Sequence, residues 1–147
     1  MTSAPTNKPT PAGKNAADAV DDATGLRPSE LATLRAKLEG ERSLIRVRLQ
    51  DHIGAINDGD RELPDEMDQA SRDQDQGFLL RLADKERKLL MELDHALGKM
   101  DAGTYGLCEG TDEPIGFGRL SARPWARYGI AYKEELEREE RDEKRER

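Results

Sequence analysis

The 147-residue sequence has a single cysteine, Cys108, and its aromatic residues make up only 4% of the chain. One cysteine excludes an intramolecular disulfide framework. It also excludes a four-cysteine zinc ribbon, which needs a second sulfur about three residues on and a second pair about 15 to 20 residues later. Because 35% of the residues are apolar and 37% are charged, we expect long solvated helices around a thin core.

The sequence also has no recognisable signal peptide, no run of about 18 apolar residues and no excess of basic residues. From the first two absences we expect a cytoplasmic protein with no membrane association. The net charge of −7 disfavours direct binding to the phosphate backbone of DNA, which requires clustered lysine and arginine. A protein partner is therefore favoured.

Two apolar stripes with spacings of three, four or seven residues lie on either side of the segment NDGDRELPD. They predict a long antiparallel helical hairpin over residues 28–102, packed as a coiled coil with its tip near residues 57–70. The first stripe comprises Leu31, Leu34, Leu38, Ile45, Leu49, Ile53 and Ile56, and the second comprises Phe78, Leu79, Leu82, Leu89, Leu90, Leu93, Leu97 and Met100.

The segments outside the hairpin differ in composition. Residues 1–27 are rich in proline, threonine, alanine and aspartate, which predicts a disordered N-terminal arm. Residues 103–129 predict a small globular base, and residues 130–147 predict a C-terminal helix whose alternating charges indicate a solvated surface. The predicted fold class is therefore mainly α.

Acidic residues are concentrated at the predicted tip, where eight acids between residues 58 and 75 accompany two bases. Asp65, after Pro64, and Asp68 fit an N-cap and a companion carboxylate at the start of the second helix. Capping accounts for only two of these acids, and so many like charges repel one another. The excess favours an acidic tip that is presented to a basic or metal-containing cavity.

Catalysis is not expected at this tip, because a two-helix end provides no cleft that shifts a carboxyl pKa and excludes water. The two histidines, His52 and His95, lie near opposite ends of the hairpin. They are predicted to be partly exposed helix residues that do not share a metal site.

Several motifs resemble the DksA/TraR family of bacterial transcription regulators. LPDEMDQA matches the family's D-x-x-D-x-A tip motif at Asp65, Asp68 and Ala70, and ERKLL, YGLCE, EPIG, RLSARP and Lys133 follow in order. The resemblance covers residues 63–137 closely. It implies a protein that binds RNA polymerase and inserts its coiled coil into the secondary channel. It also implies altered initiation at rRNA and stringent-response promoters, without sequence-specific DNA binding.

The resemblance also implies roles for individual residues. Asp65, Asp68 and Ala70 become the tip that reaches the polymerase active centre. A site for guanosine tetraphosphate (ppGpp) maps onto Leu89, Glu92, Arg119, Arg123 and Lys133. Arginine and lysine suit phosphate, whereas Glu92 stands where the family usually has a lysine and repels it. Arg119 and Arg123 alternatively form salt bridges with the acidic helices.

A basic run on the second helix has two interpretations. Arg81, Lys85 and Lys88 either contact the wall of the polymerase channel or form a solvated charged face.

The family's four zinc positions map onto Cys108, Thr111, Gly129 and Tyr132, which leaves a single sulfur. We therefore predict a zinc-finger-like base that lacks the metal, and no cofactor. The aromatic residues of the base are predicted to pack into a small core in the metal's place, with a base-stacking platform as the alternative. They are Tyr105, Phe117, Trp125, Tyr128 and Tyr132. Cys108 is either a small buried hydrophobe or an oxidisable thiol.

The sequence thus predicts a non-enzymatic, zinc-independent factor that binds RNA polymerase. The alternative is a generic coiled-coil adaptor that uses the hairpin to dock another helical protein.

Overall fold

A computed structural model of the chain describes residues 18–59 and 66–147, with side chains in the second range described from residue 68 onward. It contains the helices α1 (Pro28–Asp58), α2 (Glu66–Ala102), α3 (Phe117–Ala122) and α4 (Ile130–Glu146). Among the described residues there is no strand, and an isolated antiparallel bridge joins Leu107 to Pro114. The predicted fold class, mainly α with a long helical hairpin, is confirmed.

Helices α1 and α2 run antiparallel, as their side-chain contacts show: residues early in α1 contact residues late in α2, and residues late in α1 contact earlier ones. Arg35 Nη2 lies 2.7 Å from Asp101 Oδ1, and His52 Nδ1 lies 2.7 Å from Glu86 Oε2. With 31 and 37 residues, α1 and α2 are about 45 and 55 Å long at about 1.5 Å per residue. The hairpin is therefore a long rod.

The apolar core lies in the half of this rod that is nearest the base. Its most buried side chains include Leu34 and Leu38 on α1 and Leu93 on α2. Toward the tip the packing is looser, and Gln76 Nε2 donates to the Ile56 carbonyl at 3.1 Å. The tip end is thus joined by half-buried side chains and polar contacts as well as by apolar packing.

The assignment of Phe78 to the hairpin seam is wrong, since this side chain is 56% exposed. Neighbouring residues on a helix point about 100° apart at 3.6 residues per turn, so only one of two adjacent side chains can face the partner helix. Leu79 is the less exposed of the pair.

The segment 18–27 differs from the predicted disordered arm, whose residues 1–17 lie outside the described range. Leu26 is fully buried in the core cluster. The Asp21 carboxylate accepts from the Ala23 N–H and the Thr24 hydroxyl at 3.1 and 3.0 Å. The composition of the segment does not reveal this packing. A single buried leucine, in a loop closed by its own hydrogen bonds, is enough to attach the segment to the core.

This docked segment also caps α1. The Asp18 carboxylate accepts from the Ser29 N–H at 2.9 Å and from the Ser29 hydroxyl at 2.8 Å. An N–H in the first turn of a helix has no partner within the helix, so this distant carboxylate satisfies a group that would otherwise need water.

The base packs around Tyr105 and Leu120, which are 4% and 0% exposed. The Tyr105 hydroxyl donates to the Pro124 carbonyl at 2.7 Å, and Trp125 packs against the core cluster. Phe117 differs from the predicted aromatic core because it begins α3 and is 36% exposed. The core of the base is thus built as much from aliphatic as from aromatic side chains.

The C-terminal helix α4 has no buried residue, as its charge pattern predicts. Within the described ranges, no helix combines the length and apolar character needed to cross a membrane.

Candidate functional site

The tip of the hairpin carries exposed carboxylates. Asp68 and Ala70 are exposed near the start of α2, and Asp65 lies outside the described residues. Asp68 follows the first residue of α2 by two positions, where the positive end of the helix dipole favours a carboxylate. Asp58, at the end of α1, and Asp73 are exposed near the same end of the rod. The tip is therefore a negatively charged surface.

Arg81, Lys85 and Lys88 recur at intervals of four and three residues, so they share one face of α2. All three are exposed. In the described part of the chain, no ion pair engages any of them. This face is available for contact with an acidic partner.

The predicted ppGpp positions meet, with one exception, in a cavity of about 350 Å³ that we call the base pocket. Its lining residues are Glu92, Arg119, Arg123, Trp125, Ala126, Arg127, Tyr128 and Lys133. Leu89 does not line the pocket and packs against the core cluster instead. Residues from α2, α3, the loop after α3 and α4 thus converge on one cavity.

Four basic side chains and one carboxylate line this pocket. Arg119 Nε donates to the Tyr128 carbonyl at 2.9 Å, which fixes its guanidinium. Within the described ranges, neither Arg119 nor Arg123 forms an ion pair, so the salt-bridge interpretation of these two arginines is not what the structure shows. The pocket suits an anion.

Arg127 is a pocket residue that sequence reasoning missed. Its Nε lies 2.7 Å from Glu92 Oε2. The sequence signal that could have identified it is the recurrence of arginine every four residues at 119, 123 and 127. The repulsive carboxylate of Glu92 is therefore neutralised by a residue of the same pocket.

The four positions that match the family's zinc ligands also meet, in a second cavity of about 310 Å³. Cys108 is 2% exposed there, as predicted for a buried residue. Burial raises the pKa of the Cys108 thiol, but hydrogen bonds from the Thr111 hydroxyl and from backbone N–H groups, including those of Gly129 and Gly110, outweigh it. The pKa of Cys108 therefore lies below its ordinary value.

These four positions do not fit zinc. A tetrahedral site needs thiolate, imidazole or carboxylate ligands, and Gly129 offers no side chain. A Cβ added at Gly110 would come within 2.2 Å of the Tyr132 ring, so this ring lies directly over the loop. In the residues that the structure describes, no group of three or more His, Cys, Asp or Glu side chains is arranged to hold a metal ion.

A charged cluster around Glu109 joins α2 to the loop of Cys108. The carboxylate contacts His95 Nε2, and its Oε1 lies 3.5 Å from Lys99 Nζ. Burial raises the pKa of Glu109, but the hydrogen bond with His95 and the charges of Lys99 and Arg127 outweigh it and lower the pKa. The two histidines occupy separate cross-links and share no site, since His52 pairs with Glu86.

Comparison with known proteins agrees with the motifs. Residues 30–100 match a family described as DnaK suppressor protein DksA, N-terminal domain. Residues 103–131 match the prokaryotic dksA/traR C4-type zinc finger.

Two curated relatives are each named RNA polymerase-binding transcription factor DksA. The protein from Caulobacter vibrioides is 46% identical over 74 residues, which span 50% of this chain and 52% of the relative. The protein from Escherichia coli K12 is 32% identical over 101 residues, which span 69% of this chain and 67% of the relative. The chain thus spans about half the length of the Caulobacter relative.

Among solved structures, transcription factor DksA2 from Pseudomonas aeruginosa is similar in fold. It superposes with a TM-score of 0.71 and 38% identity, covering 78% of this chain and 88% of that chain.

Proposed function

Because this chain belongs to the DksA/TraR family, we propose that it is a non-enzymatic transcription regulator that binds RNA polymerase and inserts its helical hairpin into the secondary channel. The names of the Caulobacter and Escherichia relatives support the choice of partner. The proposed effect is altered initiation, including at rRNA and stringent-response promoters.

The exposed carboxylate of Asp68, at the end of α2 that is farthest from the base, is the observation that carries this proposal. A two-helix rod is about 20 Å across, since one helix with its side chains is about 10 to 12 Å wide. Such a rod enters a channel that excludes a globular domain. Asp65 and Ala70 complete the proposed tip, whose charge acts on the cations and nucleotides of the active centre.

The basic face of α2 is proposed to contact the channel wall. Arg81, Lys85 and Lys88 are exposed and unpaired within the described chain, and charge complementarity orients a partner and speeds its association.

The base pocket is proposed to hold ppGpp where the base meets the polymerase. Arg119 and Arg123 offer forked donors to phosphate, and Lys133 adds a point charge. Trp125 and Tyr128 supply aromatic surface for a nucleobase in the same cavity.

The base is proposed to fold without zinc. The single sulfur, its burial and the ring of Tyr132 over Gly110 support this proposal. We expect purified protein to contain no stoichiometric zinc by elemental analysis. One zinc per chain would overturn this account of the base.

Replacing Asp68 with asparagine tests the channel mechanism. Because the Asp68 side chain is exposed, we expect D68N to fold and to bind polymerase as the wild type does, but to lose its effect on transcription from an rRNA-type promoter in vitro. Asp51→Asn, which removes an exposed carboxylate from the last third of α1, outside the predicted tip, is the matched control and should keep that effect. Unchanged regulation by D68N, with binding retained, would contradict the mechanism. A wild type that fails to bind polymerase would favour the adaptor.

A further inference from the structure

The carboxylate of Glu92 forms an ion pair with the guanidinium of Arg127 in the base pocket. Arg127 Nε lies 2.7 Å from Glu92 Oε2, and both side chains are about one-third exposed. This distance is that of a charge-assisted hydrogen bond, in which donor and acceptor are both ionised. The pair joins residues 35 positions apart in sequence and attaches the loop after α3 to α2.

The other side of Arg127 is also engaged by the protein. Its Nη1 lies 3.9 Å from Glu109 Oε2, and Glu109 is held in turn by Lys99 and His95. Arg127 is thus placed between two carboxylates of its own chain. Arg123, by contrast, forms no ion pair in the described ranges, and the partner of Lys133 is 3.9 Å away on α4.

We propose that Glu92 is an internal counter-ion that withholds Arg127 from phosphate, so that the base pocket binds a nucleotide polyphosphate only weakly. This inference rests on the function proposed above. A phosphate group that approaches Arg127 must displace the carboxylate of Glu92, which then remains beside it as a like charge. Glu92 is therefore a specificity-determining residue, and Arg127 binds phosphate only when Glu92 does not pair with it.

Removing the charge of Glu92 should release that ligand. Glu92→Gln keeps the size of the side chain and an oxygen that accepts a hydrogen bond, so the base stays attached to α2. The charge of Arg127 is then no longer balanced by Glu92 and can attract phosphate. A hydrogen bond to a charged group contributes enough to binding that we expect the affinity for ppGpp to rise at least about tenfold.

The experiment measures ppGpp binding to the complex of full-length protein and RNA polymerase, in excess of the binding by polymerase alone. The same samples are assayed for transcription across a ppGpp titration. We expect a weak response from the wild type and a half-maximal ppGpp concentration at least about tenfold lower for E92Q. Glu39→Gln, which removes the carboxylate of an ion pair with Arg35 at 3.9 Å, is the control and should behave as the wild type.

A second variant separates the counter-ion role from a purely structural one. If Arg127 is the released ligand, the double variant E92Q/R127Q should lose the gain of E92Q. Equal responses of the wild type and E92Q would overturn the proposal, and so would a gain that persists in the double variant. Failure of the proposed function is visible separately, as absent polymerase binding before any nucleotide is added, and the proposal about Glu92 then falls with it.

Discussion

Replacing Leu26 with alanine tests whether the segment before α1 is part of the folded base. The side chain is 0% exposed, and its Cδ1 lies 2.8 Å from the position that a Cβ on Gly106 would take. Gly106 has no side chain that could fill the space that the leucine leaves. We therefore expect a cavity to remain after truncation.

The magnitude follows from this burial. Buried leucine-to-alanine changes cost about 2.7 to 5 kcal/mol, depending on how far the site collapses. In L26A the segment 18–27 can detach from the base, which limits the loss of unfolding free energy. We therefore expect a loss near the lower end of this range, about 3 kcal/mol. For a chain of this length such a loss lowers the melting temperature by roughly 10 °C.

Thermal unfolding followed by far-ultraviolet circular dichroism measures this shift, and urea titration gives the free energy. Val20→Ala is the control, because Val20 lies in the same segment and is 49% exposed. We expect its effect to stay within about 0.5 kcal/mol. An L26A protein that melts as the wild type does would refute the reasoning and would show that residues 18–27 add nothing to the stability of the base.

Two further changes test the base. Both Gly103 and Gly106 have positive φ, which costs alanine about 1 to 2 kcal/mol. Gly106→Ala should lower the free energy of unfolding more than Gly103→Ala, because only Gly106 lies against Leu26. Equal losses for the two variants by urea titration would contradict the close contact. The lowered pKa of Glu109 means that its carboxylate stabilises the fold above its ordinary pKa of 4.5, and that this contribution disappears as the pH falls through the lower folded-state pKa. Glu109→Gln should therefore be less stable than the wild type at neutral pH and lose less stability on acidification. Parallel stability curves of the two proteins between about pH 6 and pH 3 would refute this role.

The helices were predictable because their signals are local. The spacing of apolar residues on α1 and α2 repeats within a few positions, and the start of α1 at Pro28 follows from the fixed φ of proline. The misplacement of Phe78 shows the limit of this reasoning. Two adjacent apolar residues satisfy the same spacing rule, and only the contact with α1 distinguishes them.

Most residues of the candidate site could be predicted from the sequence, but the ion pairs between them could not. The resemblance selected Arg119, Arg123 and Lys133, which the fold brings to one cavity. It also selected Leu89, which packs in the core instead. It missed Arg127, because this arginine acquires its role from a carboxylate on another element of the fold.

The amino-acid sequence by itself determined the mainly α fold, the acidic tip and the loss of zinc-ligand side chains, since periodicity, charge and residue type are properties of the chain alone. Only the tertiary structure decided that Leu26 and Cys108 are buried and that Glu92 is neutralised. Each of these depends on groups from separate segments that meet after folding. Burial and ion pairing are set by distance in space, which one-dimensional spacing does not record.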